Sequence, residues 1–243
     1  MFERAERMLI DVGNSFVHWQ CGSARGQFSS KLASFVMPDE FLGALRACKC
    51  VLVVSVGHAA VVAELRAAGA DVEWYSATTF PGSLLTSDYD TAALGYDRWM
   101  ALLGWLSLAR MNPSVMVIDA GTAVTIDFLD GTHHQGGWIL PGYRTWFDSL
   151  LGNTQMRFTQ PEQPQLQSGK QTAEAVANAW LESIVGIVER YRNQRTDLAI
   201  VVTGGDATRL ISALPGAQVV ADLVFNGLHF WYEQTGMNKT CGG

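Results

Sequence analysis

The chain has 243 residues, enough to bury a large core as one large domain or two of ordinary size. It is 48% hydrophobic and 16% charged, the composition of a soluble globular protein. Its formal net charge of −6 argues against a general nucleic-acid or membrane-surface binder, which needs a basic face, but leaves room for an anionic substrate in a local pocket.

Met1 to Arg7 are polar and charged and lack the apolar run of a secretion signal. The first ordered segment is MLIDVGNSFVHW, residues 8–19. Met8, Leu9 and Ile10 read as a buried strand and Phe16, Val17 and Trp19 as its return partner, so Asp11, Gly13, Asn14 and Ser15 crowd the turn between them. A third strand near 26–35, a helix at 38–47, a strand at 51–56, a helix at 59–68, a strand at 71–75 and a helix at 94–109 follow. That last helix holds the longest apolar run, Trp99 to Ala109, too short to cross a bilayer. Cys21, Cys48, Cys50 and Cys241 match no zinc or disulfide spacing, which points to a cytoplasmic protein with reduced thiols.

MVIDAGTAVTIDF at 116–128 then repeats the opening segment: Met116, Ile118, Asp119 and Gly121 match Met8, Ile10, Asp11 and Gly13, a domain-sized distance downstream. Strands near 115–120, 123–129 and 134–140 follow, with Asp130-Gly131 turning between the last two and His133 and His134 expected in solvent. Helices at 143–151 and 173–192, a strand at 198–203 and a closing helix at 222–234 complete this half. Each half is thus a mixed α/β lobe, and the chain reads as a duplication. The lobes span 1–113 and 114–243, divided at Asn112-Pro113, which cannot continue the preceding helix. The Gln- and Pro-rich loop 159–171 reads as mobile or a lid, and the terminal GMNKTCGG as frayed.

Several of these turns carry chemistry. A glycine after an acidic residue in a tight turn frees backbone N–H groups for phosphate oxygens while the carboxylate can hold a cation, so two Asp-x-Gly turns facing each other would clamp a polyphosphate. TGGDA, 203–207, lets a flat or anionic ligand approach at Gly204 and Gly205, with Asp206 as a helix N-cap. Asp97 and Arg98 start the helix of 94–109. A helix N-terminus favours anions, so Asp97 can accept a proton from a substrate hydroxyl and Arg98 can grip a carboxylate; taken alone, the pair reads as a helix-start acid beside a surface arginine. Thr172 has the place of an N-cap, a role compatible with touching a ligand. GGWILPG, 136–142, either lets a ligand or subunit approach the backbone or is a strand bounded by turns.

Asp11-Val12-Gly13-Asn14-Ser15, Gly95-Tyr96-Asp97-Arg98, Asp119-Ala120-Gly121-Thr122-Ala123, Gly136-Gly137 with Pro141-Gly142, and Thr203-Gly204-Gly205-Asp206 together resemble the motif set of type III pantothenate kinases. These belong to the superfamily of acetate and sugar kinases, heat-shock chaperones and actin. The resemblance implies two ribonuclease-H-like lobes with mixed sheets in an actin-like duplicated fold. It implies ATP-dependent phosphorylation of the pantothenate hydroxyl to 4'-phosphopantothenate, the first step of coenzyme A biosynthesis. Carried over residue by residue, it puts Asp11, Gly13, Asn14, Ser15 and His18 in the first phosphate loop, with Asp11 near Mg²⁺. Thr122 would hold an ATP phosphate, Gly204 and Gly205 would lie by the adenosine, and Asp119 would bind the monovalent cation, K⁺ or NH₄⁺. Gly95, Tyr96, Asp97, Arg98 and Thr172 would bind pantothenate, with Asp97 as proton acceptor and Tyr89 as the lining tyrosine, one residue short of the usual spacing. His18 stands where relatives often have lysine. A homodimer with the pantothenate site at its interface is implied too. The alternatives are a non-catalytic regulatory protein on the same fold, like the Bvg accessory factor, and a superfamily kinase for another hydroxyl compound.

Overall fold

The structure is a computed structural model that describes residues 6–108, 114–195 and 197–235. Asn112-Pro113, the first five residues, Cys241 and the terminal GMNKTCGG stretch from Gly236 lie outside the described residues. The chain forms two compact units, one of Met1–Leu85, Asp90–Leu108 and Leu223–Gly243, the other of Thr86–Tyr89 and Ala109–Asp222.

In the first unit, β1 (Arg7–Val12), β2 (Phe16–Cys21) and β3 (Ala24–Ser29) form an antiparallel meander. β4 (Cys50–Ser55) pairs parallel with β1 and β5 (Glu73–Ser76) with β4, giving the order β3-β2-β1-β4-β5. The central strands are apolar on both faces because both are covered. Met8, Ile10, Val51 and Val53 face Phe41 and Leu45 of α1 (Asp39–Ala47) and Val61 and Leu65 of α2 (Ala59–Ala68). Leu9, Leu52 and Val54 are buried on the other side. The third strand stops at Ser29, short of the expected 35, because the Ser29 hydroxyl accepts the Lys31 N–H (3.2 Å) and bends the chain into a single 3₁₀ turn at Leu32–Ser34. α3 (Tyr96–Leu108) closes this part of the sequence.

The second unit repeats the plan. β7 (Val115–Ala120), β8 (Ala123–Asp130) and β9 (His133–Pro141) form a meander, and β10 (Ala199–Thr203) and β11 (Gln218–Val219) extend it in parallel on the β7 side. The strand order is β11-β10-β7-β8-β9-β6, the first unit's order with one addition, the two-residue β6 (Thr86–Ser87) on the open edge of β9. α4 (Tyr143–Asn153) and α5 (Thr172–Arg192) cover the sheet, with Tyr143, Phe147 and Trp180 packed edge to face at about 5 Å. The loop 159–171, expected to be mobile or a lid, is anchored instead. Asn178, buried on α5, accepts the Gln165 N–H (2.8 Å) and donates to the Gln167 carbonyl (2.9 Å), and Tyr143 donates to the Pro161 carbonyl (2.7 Å).

The short α6 (Ala207–Ile211) follows β10, and α7 (Leu223–Gln234) ends the described chain. α7 packs on α3 and on β1 and β4, so the closing helix belongs to the first unit rather than to the lobe 114–243. Two glycines allow the contact: a Cβ on Gly104 would overlap the Leu223 carbonyl, and one on Gly227 the Met100 carbonyl. Backbone meets backbone there, as only paired glycines permit.

Candidate active site

In the first unit the acidic turn closes the β1–β2 hairpin, where the Gly13 N–H donates to the Phe16 carbonyl (3.0 Å). Asp11 is paired directly with His18 across the two strands, so both side chains leave the same face of the sheet. Asn14 is exposed, and its carboxamide oxygen meets His58 Nε2 at 3.3 Å. The protein packed around His18 limits its hydration and pushes its pKa below 6.5, although the residue stays exposed; the ring is therefore mostly neutral at pH 7.

The Gly95–Arg98 segment is tied to this turn through Val56. The Val56 N–H donates to the Val12 carbonyl (3.3 Å), and its side chain lies 3.5 Å from the position of a Cβ on Gly95. Asp97 Oδ1 occupies the space that such a Cβ would need, at 2.5 Å, and accepts the Arg98 N–H at 2.7 Å. The acid is thus pinned in the first turn of α3. Arg98 is 5% exposed, so the surface arginine that the sequence allowed is buried against the core instead. Tyr96 stacks on Phe80 (4.5 Å) and donates to the Thr78 carbonyl (2.8 Å). A cavity of about 410 Å³ opens beside these residues, lined by Val53, Val62, Arg66, Ala77, Thr78 and His58.

In the second unit three turns converge on Asp119. The residue pairs with Thr203 on β10, and Gly204 follows at φ 88° with its missing Cβ 2.5 Å from Asp119 Oδ1. Any side chain at 204 would displace that carboxylate and press on the Ala120 carbonyl, which also accepts the Asp206 N–H (2.9 Å). From the other side Gly142 packs on the Gly121 and Thr122 carbonyls, and its N–H and the Thr145 hydroxyl donate to Thr122 at 2.9 and 2.8 Å. In GGWILPG, Gly142 admits the chain's own turn, while Gly136, at φ 100° and with open space at its Cβ position, sits in a β-bulge opposite Phe128. Thr122, Gly204 and Gly205 remain exposed. Asp206 holds the N-cap position of α6, but its carboxylate pairs with Arg209 (2.8 Å) instead of capping.

Thr172 is exposed and is the first residue of α5, not its cap; Gln171 has the cap position, and Glu174 reaches back to the Lys170 N–H (2.9 Å). Tyr89 lies in the second unit, half-buried, its ring 6.1 Å from that of His134. His134, expected in solvent, is fully buried: the bulge at Gly136 turns it inward to Asp127. His133 stays half-exposed beside Asp88 (3.1 Å). The sequence reading had no signal for His58, Thr145 or the Asp127–His134 pair, since each is joined to its partner only by tertiary structure. Burial, with Cys21 and Cys50 nearby, pushes the Cys48 thiol up to about 12, so it is no nucleophile.

Among the described residues no three His, Cys, Asp or Glu side chains cluster as a metal site. Asp11 and Asp119 offer single hard carboxylates, the donors that suit a magnesium or alkali cation completed by phosphate oxygens. Two ribonuclease-H-like units, each with an Asp-x-Gly turn closing its first hairpin, define the fold of the acetate and sugar kinase and actin superfamily.

Solved structures agree on that fold. A Campylobacter jejuni protein described as a conserved Baf family transcriptional activator superposes with TM-score 0.66 at 20% identity over 95% of this chain and 99% of its own. A Sinorhizobium meliloti protein described as a 2-dehydro-3-deoxygalactonokinase gives 0.56 at 15% identity over 94% and 99%. The profile of the type III pantothenate kinase family matches residues 7–194. The type III pantothenate kinase of Ectopseudomonas mendocina is 34% identical over 241 residues, covering 90% of this chain and 96% of that protein. That of Marinobacter nauticus is 35% identical over 237 residues, covering 91% and 96%. The chain belongs to the type III pantothenate kinase family.

Proposed function

We propose that the protein is a pantothenate kinase that transfers the γ-phosphoryl group of ATP to the primary hydroxyl of pantothenate, the first step of coenzyme A biosynthesis. The observation that carries the mechanism is Asp97 at the start of α3, held by the Gly95 gap and the Arg98 N–H. A carboxylate fixed in this way accepts the hydroxyl proton as the substrate oxygen bonds to the γ-phosphorus and the bond to the bridging oxygen of ADP breaks. Gly95, Tyr96 and Arg98 are the neighbouring acceptor contacts, with Arg98 toward the pantothenate carboxylate and Tyr89 and Thr172 as further contacts. The backbone of Gly13, Asn14 and Ser15, with His18, and that of Thr122 hold the ATP phosphates, while Gly204 and Gly205 leave room for the adenosine. When bound, Mg²⁺ beside Asp11 and K⁺ or NH₄⁺ beside Asp119 neutralise charge on the phosphates.

The same reading includes a homodimer that completes the pantothenate site at its interface, a cytoplasmic location, and no nucleic-acid or membrane partner. No helix among the described residues is long and apolar enough to cross a membrane. ADP release with ATP and Mg²⁺ tests the proposal, with and without pantothenate, in K⁺ and in Na⁺. Turnover that requires both pantothenate and K⁺, and that falls by on the order of a hundredfold or more in kcat for Asp97→Asn, is the expected result. Absence of turnover under any cation rejects the kinase assignment.

A further inference from the structure

The segment Thr86–Tyr89 is stitched to β9 by two consecutive histidines that use the same device. His133 Nδ1 lies 2.9 Å from the Thr86 hydroxyl and its Nε2 3.1 Å from Asp88. His134 Nδ1 lies 2.7 Å from the Ser87 hydroxyl and its Nε2 2.9 Å from Asp127. The first histidine is half-exposed, whereas His134 and Asp127 are buried at 0% and 2% exposure. A carboxylate and a histidine have been taken out of water for a strap of four residues. Burying a polar pair is costly unless every group is satisfied, and here both ring nitrogens and the carboxylate have partners.

Asp127 accepts from Nε2–H, and with a neutral ring Nδ1 accepts the Ser87 O–H. The Ser87 oxygen in turn accepts the Tyr89 N–H at 3.0 Å. The backbone of Thr86 and Asp88 adds bonds to the Thr132 and His134 carbonyls, each 3.0 Å. Hydrogen bonding therefore runs from Asp127 through His134 and Ser87 to the backbone of Tyr89, whose ring also lies over the His134 ring, 6.1 Å away and inclined by 29°. Six residues later in the sequence comes Gly95, the start of the acceptor-binding segment.

We propose that His134, oriented by Asp127, is a positioning residue for the acceptor: through Ser87 it fixes the strap and sets the place of the Tyr89 ring. This rests on the reading of Tyr89 as a pantothenate-lining side chain. The relay touches no substrate itself. It removes the freedom of a short edge strand that two ladder pairs alone would hold loosely, so it sets acceptor affinity and leaves ATP affinity alone.

The test is the KM for pantothenate and for ATP in the full-length enzyme, with Ser87→Ala, Ser87→Thr, His134→Gln, Tyr89→Ala and the Ser87→Ala/Tyr89→Ala pair. Ser87 is on an edge strap, so its truncation leaves the fold in place if His134→Gln does not. The expected result is a pantothenate KM raised about fivefold by Ser87→Ala, the worth of one positioning hydrogen bond, with ATP KM and kcat unchanged. Ser87→Thr restores the wild-type value, and the double variant is no worse than Tyr89→Ala alone, because both act through one ring. If Tyr89→Ala raises the pantothenate KM while Ser87→Ala does not, or if Ser87→Ala shifts both KM values alike, the relay is only structural and the inference is overturned. If Tyr89→Ala itself leaves the pantothenate KM unchanged, the reading of Tyr89 falls first and takes the inference with it.

Discussion

His18 faces the same side of the sheet as Asp11 and is mostly neutral at pH 7, because its folded pKa is lowered from 6.5 by lost hydration. A lowered pKa means that the ring gains its proton mainly as pH falls below 6.5, and only then would it set positive charge against ATP phosphates bound as proposed. His18→Lys is expected to lower the KM for ATP at pH 7.5 by on the order of fivefold, the worth of about 1 kcal/mol for one charge near a phosphate in a high-dielectric setting. Wild-type KM for ATP should fall relative to His18→Gln between pH 7 and pH 5.5, since the subtraction removes titration of ATP itself. Steady-state kinetics of the three proteins across that range checks both statements. At this scale the sequence was informative where a pattern repeats, as with Asp11 and Gly13 against Asp119 and Gly121. It was silent on His58, whose bond to Asn14 joins residues 44 apart in the sequence, and misleading on His134, because a bulge reverses which face a strand residue takes.

Elements with long hydrophobic periods were legible, and those defined by a partner were not. All three strands of each meander and the helices α1 to α5 and α7 follow from apolar spacing and turn residues. β6 and β11, of two residues each, exist only because β9 and β10 offer a free edge, which no local pattern signals. The duplication was legible too, but not its one irregularity: Val12 pairs with Val17 while Ala120 pairs with Val124, so the first acidic turn is one residue longer than the second. The α3–α7 contact carries a sharp prediction. Gly227→Ala must move one helix away from the Met100 carbonyl, and overpacking against backbone costs at least about 2 kcal/mol. That amounts to roughly 4–8 °C in Tm for a chain of this length, read by thermal unfolding. Gly186, with open space around its Cβ site on α5, is the control: Gly186→Ala should hold or raise Tm through helix propensity.

For the whole molecule, the decisive feature is that sequence order and spatial order disagree at the end of the chain. A division at 113 follows from the repeat and from Asn112-Pro113, yet α7 returns from residue 223 to the first unit and completes, with α3, the cover of one face of its sheet. Leu9, Leu52 and Val54 occupy that face, and Leu228, Trp231 and Tyr232 are among the buried residues of the returning helix. The last stretch is therefore not a dispensable tail. Truncation after Asp222 should leave the second unit's strands β7 to β10 protected in hydrogen exchange while amides of β1, β4 and α3 lose protection, because their apolar cover is gone and about 25 cal/mol for each Å² re-exposed is forfeited. The intact chain should show both sets protected. Equal loss in both units would mean that the protein folds as one cooperative body; no loss in β1 and β4 would mean that α7 merely rests on α3. Pantothenate turnover should vanish in the truncated protein together with protection of α3, since Asp97 is held by the first turn of the helix that α7 supports.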